Sequence, residues 1–122
     1  PNSGKTKFAK QLIQNKKVSY FNADEIRTIF NDWDFTESGR IRQAQRMFGL
    51  TAYTSGHCIV DFVCPFDKWR DDYDIKIWMN TIQKGKYEDT NQMFEKPTDV
   101  DYEIKNYNYK NIIDKINKKI NN

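Results

Sequence analysis

The first apolar pattern in the chain has helical spacing and follows a short polar opening. It predicts a helix over residues 6 to about 15, whose apolar face comprises Phe8, Ala9, Leu12 and Ile13. Residues 18–22 are rich in β-forming side chains and predict a strand. A short helix is expected next, buried through Ile26, Ile29 and Phe30.

The same alternation of strand and helix patterns continues through the rest of the chain. Thr36 is placed to cap a long helix that ends near residue 54, with apolar positions at Ile41, Ala44, Phe48 and Ala52. Residues 57–64 are almost continuously apolar, as in a strand buried on both faces of a parallel sheet. Residues 74–80 predict another strand, residues 83–107 show no clear periodicity, and a last amphipathic helix starts near Tyr109. The predicted class is α/β with a parallel sheet and right-handed crossovers.

Composition and charge limit the class of protein further. The 122 residues, 38% of them hydrophobic, suit one domain over residues 1–122. A net charge of +3 spread along the chain makes nucleic acid an unlikely partner. Cys58 and Cys64 fall on one strand face roughly 20 Å apart, too far for a disulfide. With no apolar run of membrane length, no membrane association and a cytoplasmic location are expected.

The strongest chemical signal is the opening PNSGKT, which matches the back half of the phosphate-loop pattern G-x-x-x-x-G-K-[ST]. In that pattern backbone N–H groups and a helix N-terminus surround a phosphate, the lysine adds a positive charge and the hydroxyl ligates Mg²⁺. The predicted ligands are therefore ATP and Mg²⁺. The nucleotide-binding residues are Asn2, Ser3, Gly4, Lys5 and Thr6. A chance match to a basic loop is the alternative.

The position of this pattern also bears on the sheet. Its first glycine would lie two residues before Pro1, so we expect a fragment whose opening strand is missing. The sheet would then lack a central member, its two neighbouring strands would have unpaired edges, and the fragment alone would be inactive.

Two acidic residues follow or end predicted strands. Asp24 comes directly after residues 18–22, at the strand end where α/β proteins bind ligands. It is a candidate for catalysis or metal contact, and the alternative is that it caps the next helix. Asp61 lies inside the apolar strand, where a carboxylate is costly to bury without a partner. It either contributes to a Mg²⁺ site or forms a structural ion pair.

Five short segments resemble those of a known family: FNADEIR at 21–27, FTESGR at 35–40, QAQR at 43–46, FVCP at 62–65 and FEKP at 94–97. Together with the phosphate loop they resemble adenylylsulfate kinases. These P-loop enzymes transfer the ATP γ-phosphoryl group to the 3′-hydroxyl of adenosine 5′-phosphosulfate. The resemblance covers most of the chain and implies a three-layer P-loop NTPase sandwich.

The resemblance also implies roles for individual residues. Asp24 would be catalytic and would support the metal. Lys5 of the phosphate loop is the other catalytic candidate, and Thr6 and Asp61, chosen above from the motif and the strand, are the other metal candidates. The acceptor would be bound by Arg27, Phe35, Arg40 and Phe62. The alternative is a purely structural role, in which these arginines are solvated helix residues and these phenylalanines belong to the core.

Four departures from the family keep other functions open. Asn22 replaces the first acidic residue of a pair, Gln43 replaces an asparagine, Cys64 replaces a serine, and the lid after residue 82 is short. One alternative is a kinase for another small hydroxyl acceptor, such as a nucleoside, nucleotide or sugar. Another is a nucleotide-binding module with little turnover. The expected partners are small molecules, with a homodimer as an open alternative.

Overall fold

The computed structural model describes residues 4–12, 18–81 and 93–121, and the structural statements below concern these residues. They form five helices and four strands: α1 (Lys5–Leu12), β1 (Ser19–Asn22), α2 (Ala23–Phe30), α3 (Glu37–Thr51), β2 (Cys58–Asp61), α4 (Asp67–Arg70), β3 (Ile77–Met79), β4 (Tyr102–Ile104) and α5 (Lys110–Asn121).

The strands form two parallel pairs. In the first pair β1 lies beside β2, in a register that places Ser19 opposite Cys58 and Asn22 opposite Asp61. In the second pair β3 lies beside β4, with Ile77 opposite Tyr102. Within the described residues each sheet has two strands. The fold is therefore a small mixed α/β structure with two short parallel strand pairs. The single parallel sheet of a three-layer P-loop sandwich stays a prediction.

One hydrophobic core connects the two pairs. Its buried members come from α1, from β4, from the residue just before α5 and from α5 itself: Phe8, Leu12, Ile104, Tyr109, Ile113 and Ile116. Ile59 of β2 and both Ile77 and Met79 of β3 pack against this core. Ile77 and Met79 lie on the same face of β3, because side chains two apart in a strand share a face. α1 and α5 cover this face and also Ile59 of β2, so they form one helical layer over both strand pairs.

Several local predictions are confirmed and others are wrong. The Thr36 side chain caps α3, accepting a hydrogen bond from the Gly39 N–H at 3.2 Å. The apolar run at 57–64 gives a strand of only four residues, and Cys64 beyond its end adopts a positive φ of 46°. The segment at 83–107, read as aperiodic, contains β4. Three residues are too few for a period-two pattern to show.

The predicted buried faces of α2 and α3 need correction. Ile29 is 72% exposed and Phe30 is 51% exposed, so α2 buries Ile26 and Arg27 instead. On α3 the buried positions are Gly39, Arg40, Gln43, Ala44 and Met47. Polar side chains occupy part of this face because they bond to neighbouring backbone. Gln43, for example, donates from Nε2 to the Ala23 carbonyl at 3.1 Å. Hydropathy alone does not reveal such positions.

Two further sequence expectations can be compared with the structure. Cys58 and Cys64 are both free thiols. Of the helices in the described part of the chain, none has the length and apolar character needed to cross a membrane.

Candidate functional site

Of the residues that the sequence predicts to form a phosphate loop, the structure describes those from Gly4 onward. Gly4 has φ of +89°, and its carbonyl accepts the first bond of α1 from the Phe8 N–H at 3.0 Å. A Cβ on Gly4 would lie 2.9 Å from Cε1 of Tyr107, so backbone conformation and space both favour glycine. Asn2 and Ser3 lie outside the described residues. Lys5 and Thr6 occupy the first turn of α1, where N–H groups favour an anion.

The Thr6 hydroxyl contacts the carboxylate that sequence reasoning singled out. Thr6 Oγ1 donates to Asp61 Oδ2 at 2.9 Å, joining the start of α1 to the last residue of β2 across 55 positions of sequence. Asp61 is only 6% exposed. Its carboxylate accepts hydrogen bonds from three neutral side chains. Within the described residues, the alternative that Asp61 forms a structural ion pair is therefore wrong. A hydroxyl and a nearly buried carboxylate thus meet at the N-terminus of α1.

Two residues of β1, Tyr20 and Asn22, complete this cluster, and the sequence pattern did not predict either of them there. Tyr20 Oη donates to Asp61 Oδ2 at 2.6 Å. Asn22 Nδ2 lies 3.3 Å from the same oxygen and 3.2 Å from Thr6 Oγ1. The period of two in β1 could have indicated both residues, because it places Tyr20 and Asn22 on the same face of the strand. Asn22 is also the residue paired with Asp61 of β2. Burial, and then the bond to Asp61, raise the pKa of Tyr20, so its hydroxyl stays protonated and donates.

Asp24 lies on the first turn of α2, two residues after Asn22 of this cluster. It is exposed, and its backbone carbonyl accepts from Thr28 Oγ1 at 3.0 Å. The alternative that Asp24 caps α2 is wrong, since Asn22 is the N-cap and its Oδ1 accepts from the Glu25 N–H at 3.1 Å. The carboxylate of Asp24 is therefore not used as a cap.

The donor set suits an open magnesium site rather than a closed metal cage. Among the residues that the structure describes, no group of three His, Cys, Asp or Glu side chains could hold a metal ion. Mg²⁺ commonly takes only one or two carboxylates from the protein and completes its shell with water and substrate phosphates. Thr6 and Asp61 fit that partial role, and the Asp24 carboxylate is close in sequence to the same strand end.

The predicted acceptor residues Arg27, Phe35 and Arg40 are brought together. Arg27 and Arg40 are each 5% exposed, and their guanidinium carbons lie 4.6 and 5.1 Å from the centre of the Phe35 ring. Arg27 Nη1 donates to the Asp32 carbonyl at 3.0 Å, and Arg40 Nε donates to the Phe35 carbonyl at 2.8 Å. Burial lowers the pKa of Arg27. The alternative that these arginines are solvated is wrong, because both are buried against the Phe35 loop.

Phe62, the fourth predicted acceptor residue, lies just beyond β2. Its ring is half-buried and 6.1 Å from the ring of Tyr73. Phe35 is 37% exposed, so its ring retains an accessible surface. That Phe35 and Phe62 both bind the acceptor stays a prediction.

No protein-family model, curated protein or solved structure matches this chain.

Proposed function

We propose that this chain carries the phosphate site of an ATP-dependent phosphotransferase of the P-loop kinase class. The observation that carries the proposal is the 2.9 Å bond between Thr6 Oγ1 and Asp61 Oδ2. A lysine-threonine pair on the first turn of a helix, facing a carboxylate at the end of a parallel strand, suits a magnesium-bound triphosphate.

The residues of the proposed site divide the work of binding the triphosphate, holding the metal and accepting a proton. The N–H groups at the start of α1 and the Lys5 ammonium bind the triphosphate oxygens. Thr6 and Asp61 hold Mg²⁺, which when bound neutralises charge that develops on the phosphates during transfer. Asp24 accepts the proton of the acceptor hydroxyl, which needs a carboxylate within hydrogen-bond reach of that group.

For the acceptor we propose a nucleotide-like anion, with adenosine 5′-phosphosulfate as the first compound to test. Two arginines and an accessible aromatic ring are adjacent here, a combination that suits an anionic group attached to a planar base. Arg27 and Arg40 are already fixed by backbone carbonyls. Their guanidinium groups are therefore held in place before any acceptor binds.

Nucleotide binding is tested with a fluorescent ATP analogue and Mg²⁺. Lys5→Met should raise the Kd at least about tenfold, the scale of a lost charge-assisted hydrogen bond. Lys7→Met is the matched control, because Lys7 is exposed on the same helix, and its Kd should stay within about twofold of the parent. Equal effects of the two variants, or binding unchanged by removal of Mg²⁺, would contradict the proposed site.

Transfer is tested separately, by incubating the protein with labelled ATP, Mg²⁺ and adenosine 5′-phosphosulfate. Asp24→Asn should lower turnover by about 10²-fold while leaving the Kd for ATP nearly unchanged. If no 3′-phosphorylated product forms, that acceptor is wrong, and a screen of nucleosides, nucleotides and sugars tests the wider kinase class.

One observation favours a second candidate, a nucleotide-binding module with little turnover. Asn22 directs its amide nitrogen towards Thr6 and Asp61, where the kinase family places a carboxylate. For this candidate we expect tight binding of Mg-ATP, no labelled product with any acceptor, and no effect of Asp24→Asn.

A further inference from the structure

Tyr20 has a place in the Asp61 cluster that the phosphate-loop pattern does not contain. It lies on β1, and its hydroxyl donates to Asp61 Oδ2 at 2.6 Å across 41 positions of sequence. A separation of about 2.5–2.7 Å is typical of an O–H group bound to a carboxylate, and such charge-assisted bonds are roughly twice as strong as neutral ones. Within the described residues this is the shortest hydrogen bond that Asp61 accepts.

The other two described partners of Asp61 are less free to hold it. The Thr6 hydroxyl has a single hydrogen, which it donates to Asp61 at 2.9 Å, but Thr6 is also a proposed metal ligand. The amide of Asn22 has two hydrogens, and its nitrogen lies 3.2 to 3.4 Å from three different oxygens of this cluster. Tyr20 is therefore the described partner that gives its only hydrogen to Asp61 and has no other proposed task.

All three contacts end on the same oxygen of the carboxylate. Thr6, Tyr20 and Asn22 each reach Oδ2 of Asp61, and within the described residues no hydrogen bond reaches its Oδ1. Nor is this Oδ1 one of the buried side-chain atoms that lack a partner in the described part of the chain. Donors gathered at one oxygen restrict rotation of the carboxylate group and leave the other oxygen for a ligand from outside the cluster.

We propose that Tyr20 is a positioning residue for the metal, whose hydroxyl holds Asp61 Oδ2 so that Oδ1 is presented to Mg²⁺. This inference rests on the proposed function, because it assigns Tyr20 to the magnesium site described there. Removing a partner that orients a metal-ligating carboxylate commonly lowers metal affinity by about 10–100-fold. Tyr20 itself binds neither the nucleotide nor the metal in this arrangement. Its loss should therefore weaken the contribution of Mg²⁺ to nucleotide binding and leave the contacts made by α1 in place.

The test measures the Kd of a fluorescent ATP analogue for the parent and for Tyr20→Phe, each with saturating Mg²⁺ and with EDTA. For the parent, Mg²⁺ should lower the Kd. For Tyr20→Phe we expect the Kd in Mg²⁺ to rise by about tenfold or more, because the Asp61 carboxylate loses its shortest bond. The Kd in EDTA should stay at the parent value, because without the metal Asp61 has no ligand to present. A structural defect would raise both Kd values, so their ratio separates positioning from a structural role.

Tyr102→Phe is the matched control, because it removes a hydroxyl from another half-buried strand tyrosine, on β4 beside β3. Both of its Kd values should equal those of the parent. If urea unfolding shows that Tyr20→Phe is partly unfolded, the titrations are repeated in trimethylamine N-oxide, which favours the folded state. A Tyr20→Phe variant with the parent ratio of the two Kd values would overturn the positioning role and leave the phosphate-site proposal standing. A parent whose Kd is the same in Mg²⁺ and in EDTA would instead contradict the proposed magnesium site itself.

Discussion

At the scale of the residue, Gly4 is subject to two independent constraints. Its φ of +89° lies in the region that favours glycine, and a Cβ would approach Tyr107 to 2.9 Å. Tyr107 is 58% exposed, so its ring has room to move away. The backbone constraint has no such relief, because the carbonyl of Gly4 is fixed by the first bond of α1.

Gly4→Ala should therefore destabilise the fold by about 1–3 kcal/mol, the cost of holding a residue with a side chain in an unfavourable backbone region. Urea unfolding measures the change. The double variant Gly4→Ala/Tyr107→Ala, compared with Tyr107→Ala alone, removes the steric contact and leaves the backbone strain. Full recovery of stability in that comparison would show that the steric contact, and not φ, sets the cost.

Individual residues of the site were predictable to different degrees. Thr6 and Asp61 could be chosen from sequence because one lies in a motif and the other is an acid inside an apolar run. Their contact could not be chosen, since it depends on how α1 packs on β2. Tyr20 was missed because tyrosine is an ordinary strand residue, and only the hydrogen bond from its hydroxyl to Asp61 gives it a role.

At the scale of the element, α2 and α3 are connected by a charged network around Asp32. Arg42 Nε lies 2.7 Å and Arg46 Nη2 lies 2.9 Å from Asp32 Oδ2, and both arginines lie one turn apart on α3. Arg46 also covers the Phe30 ring, with its guanidinium carbon 4.4 Å from the ring centre. The network thus fixes the loop after α2 to the face of α3.

These arginines lower the pKa of the Asp32 carboxyl below its ordinary value of 3.8. A depressed pKa in the folded state gives a contribution to stability that is present above the unfolded pKa and lost as the pH falls towards the folded pKa. We therefore expect the urea midpoint of the parent to fall as the pH decreases below about 4. Asp32→Asn should have a lower midpoint at pH 7 and a weaker dependence in that acid range.

Asp114→Asn is the control for this comparison, because Asp114 is an exposed carboxylate on α5. Its midpoint should follow the parent at every pH. If Asp32→Asn and Asp114→Asn behave alike, the Asp32 network does not contribute to the acid sensitivity of the fold.

At the scale of the whole molecule, the alternation of strands and helices was readable from sequence, and the division into two strand pairs was not. Periodicity indicates where a strand lies but not which strands pair, and pairing here depends on packing against α1 and α5. The long apolar run at 57–64 correctly indicated a strand of a parallel sheet. The three residues of β4 were too few to detect, although they complete the second pair.

Because α1 and α5 cover both pairs, the molecule should unfold as one unit, and Ile116 tests this. Ile116 is 1% exposed and belongs to the core that touches Ile59 of β2 and Ile77 of β3. Ile116→Ala should lower the free energy of unfolding by about 2–5 kcal/mol and speed amide exchange in β1–β2 and β3–β4 alike.

Ile29→Ala is the control, because Ile29 is 72% exposed on α2, and it should change the free energy of unfolding by less than about 0.5 kcal/mol. Faster exchange confined to β3–β4 would mean that the two pairs unfold independently. The shared helical layer would then not couple them.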